Sequence, residues 1–170
     1  MGSAVIDTCF LINWARFSER EKLKLLFDRL FMPEITFSEV RSMVALGLAS
    51  EWLASRFLVL APVLPTNEEE VEGILKLVAS HPQIPSIDPP ELYAFILARR
   101  LEVPLLTDNK APKRVSQLSG GYSVPVLDSL DVLKLISDRG FELRELVAKF
   151  MEETGFRFSR SRLEEVGLIG

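Results

Sequence analysis

Glu91-Leu92-Tyr93-Ala94-Phe95-Ile96-Leu97-Ala98-Arg99-Arg100, followed shortly by Val103-Pro104-Leu105-Leu106-Thr107-Asp108, is the stretch on which the fold turns. In its first half Leu92, Phe95 and Ile96 recur at helical spacing, and Arg99–Arg100 close the pattern. Its second half is a short apolar run without alternation, as expected of a strand covered on both faces of a parallel sheet. A helix therefore feeds a strand. Working outward, Ala4-Val5-Ile6 and Ser123-Val124-Pro125-Val126-Leu127 have the same strand character. Glu34-Ile35 after Pro33 is a fourth candidate strand, and residues 57–63 hold a further one. Two other helical faces are expected, one through Leu23, Leu26, Phe27 and Leu30 and one through Val71, Ile74, Leu75 and Val78. Alternating strands and helices predict the α/β class, a three-layer α/β/α sandwich around a parallel sheet. The tail from Phe141 to Ile169 predicts two more helices, Glu142–Glu153 and Ser159–Glu165, joined around Gly155.

The chain has 170 residues, the size of one ordinary domain. With 48% apolar and 26% charged residues it is neither disordered nor fibrous. A core of this size needs no staple, since a chain of about 150 residues buries roughly 68–70% of its unfolded surface. Cys9 is the sole cysteine and His81 the sole histidine, which excludes an internal disulfide and leaves a zinc site without its usual ligands. Both have bland readings, a buried thiol beside the first strand and an imidazole in a loop or at a helix end. If the protein is an enzyme, its working groups are carboxylates. A net charge of −4 excludes a strongly basic coat for nucleic acid, though not a local basic patch. The most apolar stretch, Met43 to Leu64, contains Glu51 and Arg56 and so does not suit a membrane span. No basic n-region precedes the first apolar run, and the expected location is the cytoplasm.

Among 24 acidic residues, position has to select. Ligands of open parallel sheets bind in the crevice beyond the carboxyl ends of the strands. Asp7 ends Ala4-Val5-Ile6 and Asp108 follows Leu105-Leu106-Thr107. Glu39 in Thr36-Phe37-Ser38-Glu39 and Glu91 in Asp88-Pro89-Pro90-Glu91 are expected where the chain enters a helix. Each of these glutamates also has the spacing of a capping box, with Pro89 suited to the first helical position, so cap and ligand remain alternative roles. Asp128 also ends an apolar strand, yet it leads into Leu130 to Ile136 and reads as a helix cap. If Asp7, Glu39, Glu91 and Asp108 share one edge, their mutual repulsion raises their pKa values unless a cation neutralises them. Oxygen-only ligation suits Mg²⁺ or Mn²⁺, and such acid clusters serve phosphodiester cleavage.

At these residues the sequence resembles the PIN-domain family of VapC-like metal-dependent ribonucleases, which includes the toxins of many prokaryotic toxin–antitoxin pairs. Ala4-Val5-Ile6-Asp7-Thr8 is similar to the segment of its first acid and the hydroxyl residue after it. Thr36-Phe37-Ser38-Glu39-Val40 is similar to the second, Pro90-Glu91-Leu92-Tyr93-Ala94 to the third and Leu105-Leu106-Thr107-Asp108-Asn109 to the fourth. The resemblance spans Ala4 to Ser137 and implies a nuclease domain over residues 1–137. Residues 138–170 are then a helical extension packed on the same domain, similar to the tail of a subgroup with glutamate as third acid. Two positions depart from the pattern. Glu91 stands where aspartate is commoner, which leaves Asp88 a rival ligand, and Asn109 stands where a further acid is often found.

The resemblance implies in-line hydrolysis of RNA. Asp7, Glu91 and Asp108 would hold the ion, and Glu39 would position a water or a second ion. Thr8, Thr107, Asn109 and Asp88 are candidate supporting residues. Lys110, Lys113 and Arg114 are candidate RNA contacts, as are Arg99–Arg100 and the cluster Arg157, Arg160 and Arg162. Phe10, Leu11, Ile12 and Trp14 are expected in the core, with a dimer surface as the other use. An antitoxin and a second copy of the chain are the implied protein partners. The alternative is a catalytically weak or inactive PIN-like scaffold that binds RNA or protein, motivated by Asn109 and the acidic balance. A phosphate-handling α/β enzyme or receiver domain fits less well, because Cys9 stands where a dehalogenase-like hydrolase needs a second aspartate.

Overall fold

In the computed structural model, which describes residues 2–64, 67–118 and 123–169, the alternation of side chains along the first strand sets the layers. Ala4 and Ile6 of β1 (Gly2–Ile6) enter one apolar cluster and Val5 enters another, because successive residues of a strand face opposite sides. The same division holds in β2 (Phe27–Pro33), where Leu30 and Met32 join the first cluster and Phe31 packs on the second. β3 (Leu58–Ala61), β4 (Leu105–Leu106) and β5 (Val126–Leu127) complete the sheet of the described residues. Its order is β3-β2-β1-β4-β5, with every pairing parallel.

Helices cover both faces, so the architecture is the expected α/β/α sandwich. α1 (Thr8–Arg16), α3 (Met43–Ala54), α7 (Ser129–Ser137) and α8 (Leu143–Thr154) pack on one side. α5 (Pro89–Leu101) and α6 (Lys110–Leu118) cover the other, with Ile74 of α4 (Asn67–Ala79). A four-residue α2 (Glu34–Phe37) and a short α9 (Arg160–Glu165) fill the remaining turns. Phe10, Leu11 and Trp14 are buried in the first cluster, and Ile12 packs against it. The two expected tail helices are α8 and α9. Gly155 ends α8 at φ +73°, a left-handed conformation that a residue with a Cβ adopts only with strain.

Two expectations are corrected. Leu23, Leu26, Phe27 and Leu30 do not share a helix: residues Arg20–Leu25 form a 3-10 helix, and Phe27 begins β2. Pairing on both edges, to β1 and β3, outweighs the accidental helical spacing. Glu34-Ile35 is not a strand but the start of α2, because β2 ends at Pro33. The apolar stretch 43–64 divides into α3, capped by Ser42, and β3. No helix among the described residues is long and apolar enough to cross a membrane.

The strand order places a topological switch between β1 and β4. From β1 the chain crosses to β2 on one side, while β4 and β5 lie on the other. A crevice opens at such a point beyond the carboxyl ends of the strands.

Candidate active site

Asp7 leaves β1 at this switch and caps α1. Its Oδ1 accepts the Phe10 N–H at 2.9 Å, and its Oδ2 accepts the Thr107 hydroxyl from the end of β4. The Cys9 thiol also donates to it, at 3.2 Å. Asp7 is only 2% exposed. Glu91 stands in the first turn of α5 and divides its oxygens between two tasks. Oε2 accepts the Asp88 N–H at 3.3 Å, while Oε1 accepts the Asn109 side-chain amide. Cap and site residue are therefore not exclusive for Glu91. Asn109 also reaches Asp7 Oδ2 at 3.5 Å, so one amide joins the two carboxylates. The Thr107 hydroxyl accepts the Asn109 N–H at 3.0 Å and holds that amide in place.

Asp108 turns toward α7. Its Oδ1 accepts the Ser129 N–H at 2.8 Å, and its Oδ2 accepts the Ser129 hydroxyl at 2.8 Å and the Asn13 amide at 2.7 Å. Trp14 Nε1 donates to the same hydroxyl at 3.0 Å. Glu39 is not the third residue of a helix capped by Thr36, which corrects the capping-box alternative. Thr36 lies inside α2 and donates its hydroxyl to the Pro90 carbonyl at 3.0 Å, leaving Glu39 exposed in the turn that follows. Thr8 donates to the Thr36 carbonyl at 3.0 Å. These two bonds tie the starts of α1 and α5 to α2, and so carry Asp7, Glu39 and Glu91 on one rim.

The electrostatics follow from burial. Loss of water pushes the Asp7 carboxyl up to about 6; bonds from Thr107, Phe10 and Cys9 oppose the rise and the Asp108 charge adds to it. Burial likewise pushes Glu91 up to about 7, against the Asp88 N–H and with the charges of Asp7, Asp88 and Glu39. Asp108 is raised by burial against the bonds from Ser129 and Asn13. Burial and the adjacent Asp7 and Asp108 charges raise the Cys9 thiol far above its usual range. Asp7, Glu91 and Asp108 are thus short of stabilisation for their charged forms, chiefly because burial withdraws water from them.

A hard divalent ion suits that deficit. The donors are oxygen atoms of carboxylates, a hydroxyl and an amide, with neither imidazole nor thiolate chemistry needed. Among the described residues no three carboxylate, imidazole or thiol side chains are close enough to enclose an ion as they stand. Asp7, Glu91 and Asp108 bond instead to Thr107, Asn109 and Ser129, and they are the residues that would hold an ion. The donor chemistry fits.

Asp88 is exposed and its N–H serves the cap, so Glu91 rather than Asp88 meets Asn109. Sequence reasoning missed Asn13 and Ser129, the residues that hold Asp108. Asn13 was visible as the polar residue inside Phe10-Leu11-Ile12-Asn13-Trp14, and Ser129 as the neighbour of the cap Asp128. Asp128 does cap α7, accepting the Asp131 N–H at 2.9 Å. Among the basic candidates, Lys110, Lys113 and Arg114 lie on α6 next to Asp108. Arg99 and Arg100 pair with Glu70, at the opposite end of α5 from Glu91. His81 follows α4, its Nδ1 2.9 Å from the Leu77 carbonyl, away from this rim.

A search among curated proteins returned no match. A family model described as PIN domain matches residues 4–118, more than half of the chain, and its span includes all four acids of the rim. The chain belongs to the PIN-domain family, whose members are generally nucleases that require a divalent metal ion.

Proposed function

We propose that this protein is a Mg²⁺- or Mn²⁺-dependent endoribonuclease that hydrolyses RNA phosphodiester bonds with Asp7, Glu39, Glu91 and Asp108. Asp7, Glu91 and Asp108 would hold the ion, which supplies a nucleophilic water at neutral pH and neutralises charge on the phosphate. The observation that carries the reading is the meeting of Asp7 and Glu91 at the Asn109 amide, next to Asp108 at the switch between β1 and β4 and inside the matched PIN segment. Thr107 and Asn109 orient Asp7 and Glu91, while Ser129 and Asn13 orient Asp108. Glu39, exposed and within electrostatic reach of Glu91, is free to orient a water or take its proton. Lys110 and Arg114 stand where phosphates of a bound strand would pass, with Lys113 between them paired to Asp131.

In this proposal residues 1–137 form the nuclease domain and 138–170 its extension, and the protein works in the cytoplasm. It acts as the toxin of a toxin–antitoxin pair, the antitoxin covering the crevice. Exposed Met43 and Val44, 80% and 57% accessible at the start of α3, favour a homodimer or another protein contact. Growth arrest on expression, relieved by a partner encoded beside it, is the expected sign of the toxin role.

The test is cleavage of single-stranded RNA by purified protein with Mg²⁺ or Mn²⁺. Activity should vanish with a chelator and in Asp7→Asn and Asp108→Asn, and fall by about 10²–10⁴-fold in Glu39→Gln. Cleavage that survives those changes overturns the proposal. A second reading, a PIN-like scaffold without turnover, is favoured by the Asn109 amide that occupies Glu91. RNA binding without cleavage selects it.

A further inference from the structure

We propose that the C-terminal extension completes a groove for a single RNA strand, with Arg157 and Phe158 forming the wall opposite Lys110 and Arg114. The inference rests on the ribonuclease reading and names how its substrate is held. A cleft of about 740 Å³ begins at Asp108 and Asn109 and runs between α6 and the chain that follows α8. Its volume is that of a pocket for a small organic ligand, enough for a short stretch of one strand and too small for a duplex. Residues 156–158 lie beyond the matched PIN segment, in the C-terminal extension.

The cations of the cleft divide into two groups. Arg162 bonds Asp128 at 2.9 and 3.0 Å and Asp131 at 2.6 Å, and Lys113 lies 3.4 Å from Asp131. These two neutralise the acids at the start of α7 and pin α9 there. Lys110 and Arg114 have no carboxylate partner among the described residues. Arg157 spends Nη1 on the carbonyls of Met151 and Phe156, at 2.6 and 2.9 Å, which fixes its arm, and no carboxylate pairs with it among the described residues. Three cations without a carboxylate partner among the described residues thus flank a path that ends at the acid rim. Phosphates are their complement, and an incoming strand would be directed toward Asp108. Phe158, half-buried beside Phe156 with ring centroids 5.2 Å apart, adds an aromatic surface for bases.

Binding and cleavage are measured separately. A fluorescein-labelled single-stranded RNA oligonucleotide, and the same sequence as a duplex, are titrated into the Asp7→Asn protein, which does not turn over. Added Arg157→Gln or Arg114→Gln should each raise Kd about fivefold near 0.1 M salt and flatten the salt slope by about 0.7. Phe158→Leu, which keeps the apolar filling, should raise it about tenfold. Lys76→Gln, the same charge change on the distant α4, should leave Kd alone. Arg157 also supports backbone, so Arg114→Gln, on the exposed surface of α6, carries the test if the former melts early. Unchanged Kd for Arg114→Gln and Phe158→Leu, or equal affinity for duplex, overturns the groove. Failure of the ribonuclease reading looks different: the groove variants weaken binding while protein with an intact Asp7 never cleaves.

Discussion

Replacing Asp7 by asparagine should abolish activity and yet stabilise the metal-free fold at alkaline pH. The carboxyl is 2% exposed and raised from the ordinary 3.8 to about 6, chiefly by loss of water. Between those values the folded state binds more protons than the unfolded one, so stability falls as pH rises. The contribution is complete below about pH 4 and lost above about pH 6. A displacement of this size corresponds to about 3 kcal/mol. Asparagine carries no charge to desolvate and caps a helix as well as aspartate does, so the Phe10 N–H keeps its acceptor. A domain of this length gains about 2–4 °C per kcal/mol. The Asp7→Asn protein should therefore melt up to ~6–12 °C above wild type at pH 8 in chelator, with little difference at pH 4. Glu91→Gln should show a smaller gain, since Glu91 is half exposed and screened. Mn²⁺ should then close most of that gap by stabilising wild type alone, by about 2.7 kcal/mol at 100 times its Kd. Melting of Asp7→Asn below wild type at pH 8 without metal would refute the reasoning, because the carboxylate would then be satisfied by its hydrogen bonds.

Three further outcomes follow from the packing around the site. Phe150 is fully buried, with ring centroids 5.1 Å from Phe17 and 5.7 Å from Trp14, so Phe150→Ala should cost about 3–5 kcal/mol in urea unfolding. Ser129→Ala removes the hydroxyl that holds Asp108 and should weaken Mn²⁺ binding about 10–100-fold while the melting curve stays cooperative. Cys9, raised far above the usual thiol range, should resist thiol reagents at pH 8 in the native protein and react at the ordinary rate once unfolded.

The strands that carry the site were legible because their residues are apolar without interruption. Ala4-Val5-Ile6 and Leu105-Leu106 lie in the middle of the sheet with both faces covered, and burial of that kind writes itself into composition. β2 was not legible. Asp28 and Arg29 interrupt it, and Leu23, Leu26, Phe27 and Leu30 mimic a helical face until pairing with β1 and β3 is known. For the same reason Glu39 was expected at a helix start. Its place after α2 depends on where β2 ends. Asp7 and Asp108 could be picked out by their positions after strands, whereas Asn13 and Ser129 could not. Their role rests on bonds to Asp108 from residues 95 and 21 positions away, which no local pattern records. The cap spacing of Asp88 and Glu91 was read correctly as geometry; the second bond, from Asn109 to the other Glu91 oxygen, needed the fold.

In the proposed site, carboxylates from three elements share one divalent ion. Titration of Mn²⁺ into the wild-type protein, followed by calorimetry, tests this most directly when repeated on Asp7→Asn, Glu91→Gln, Asp108→Asn and Asp128→Asn. The first three should each weaken binding by about tenfold or more, whereas Asp128→Asn, whose carboxylate caps α7 and pairs with Arg162, should change it far less. Absence of binding in wild type, or equal binding across all five proteins, would contradict the shared site.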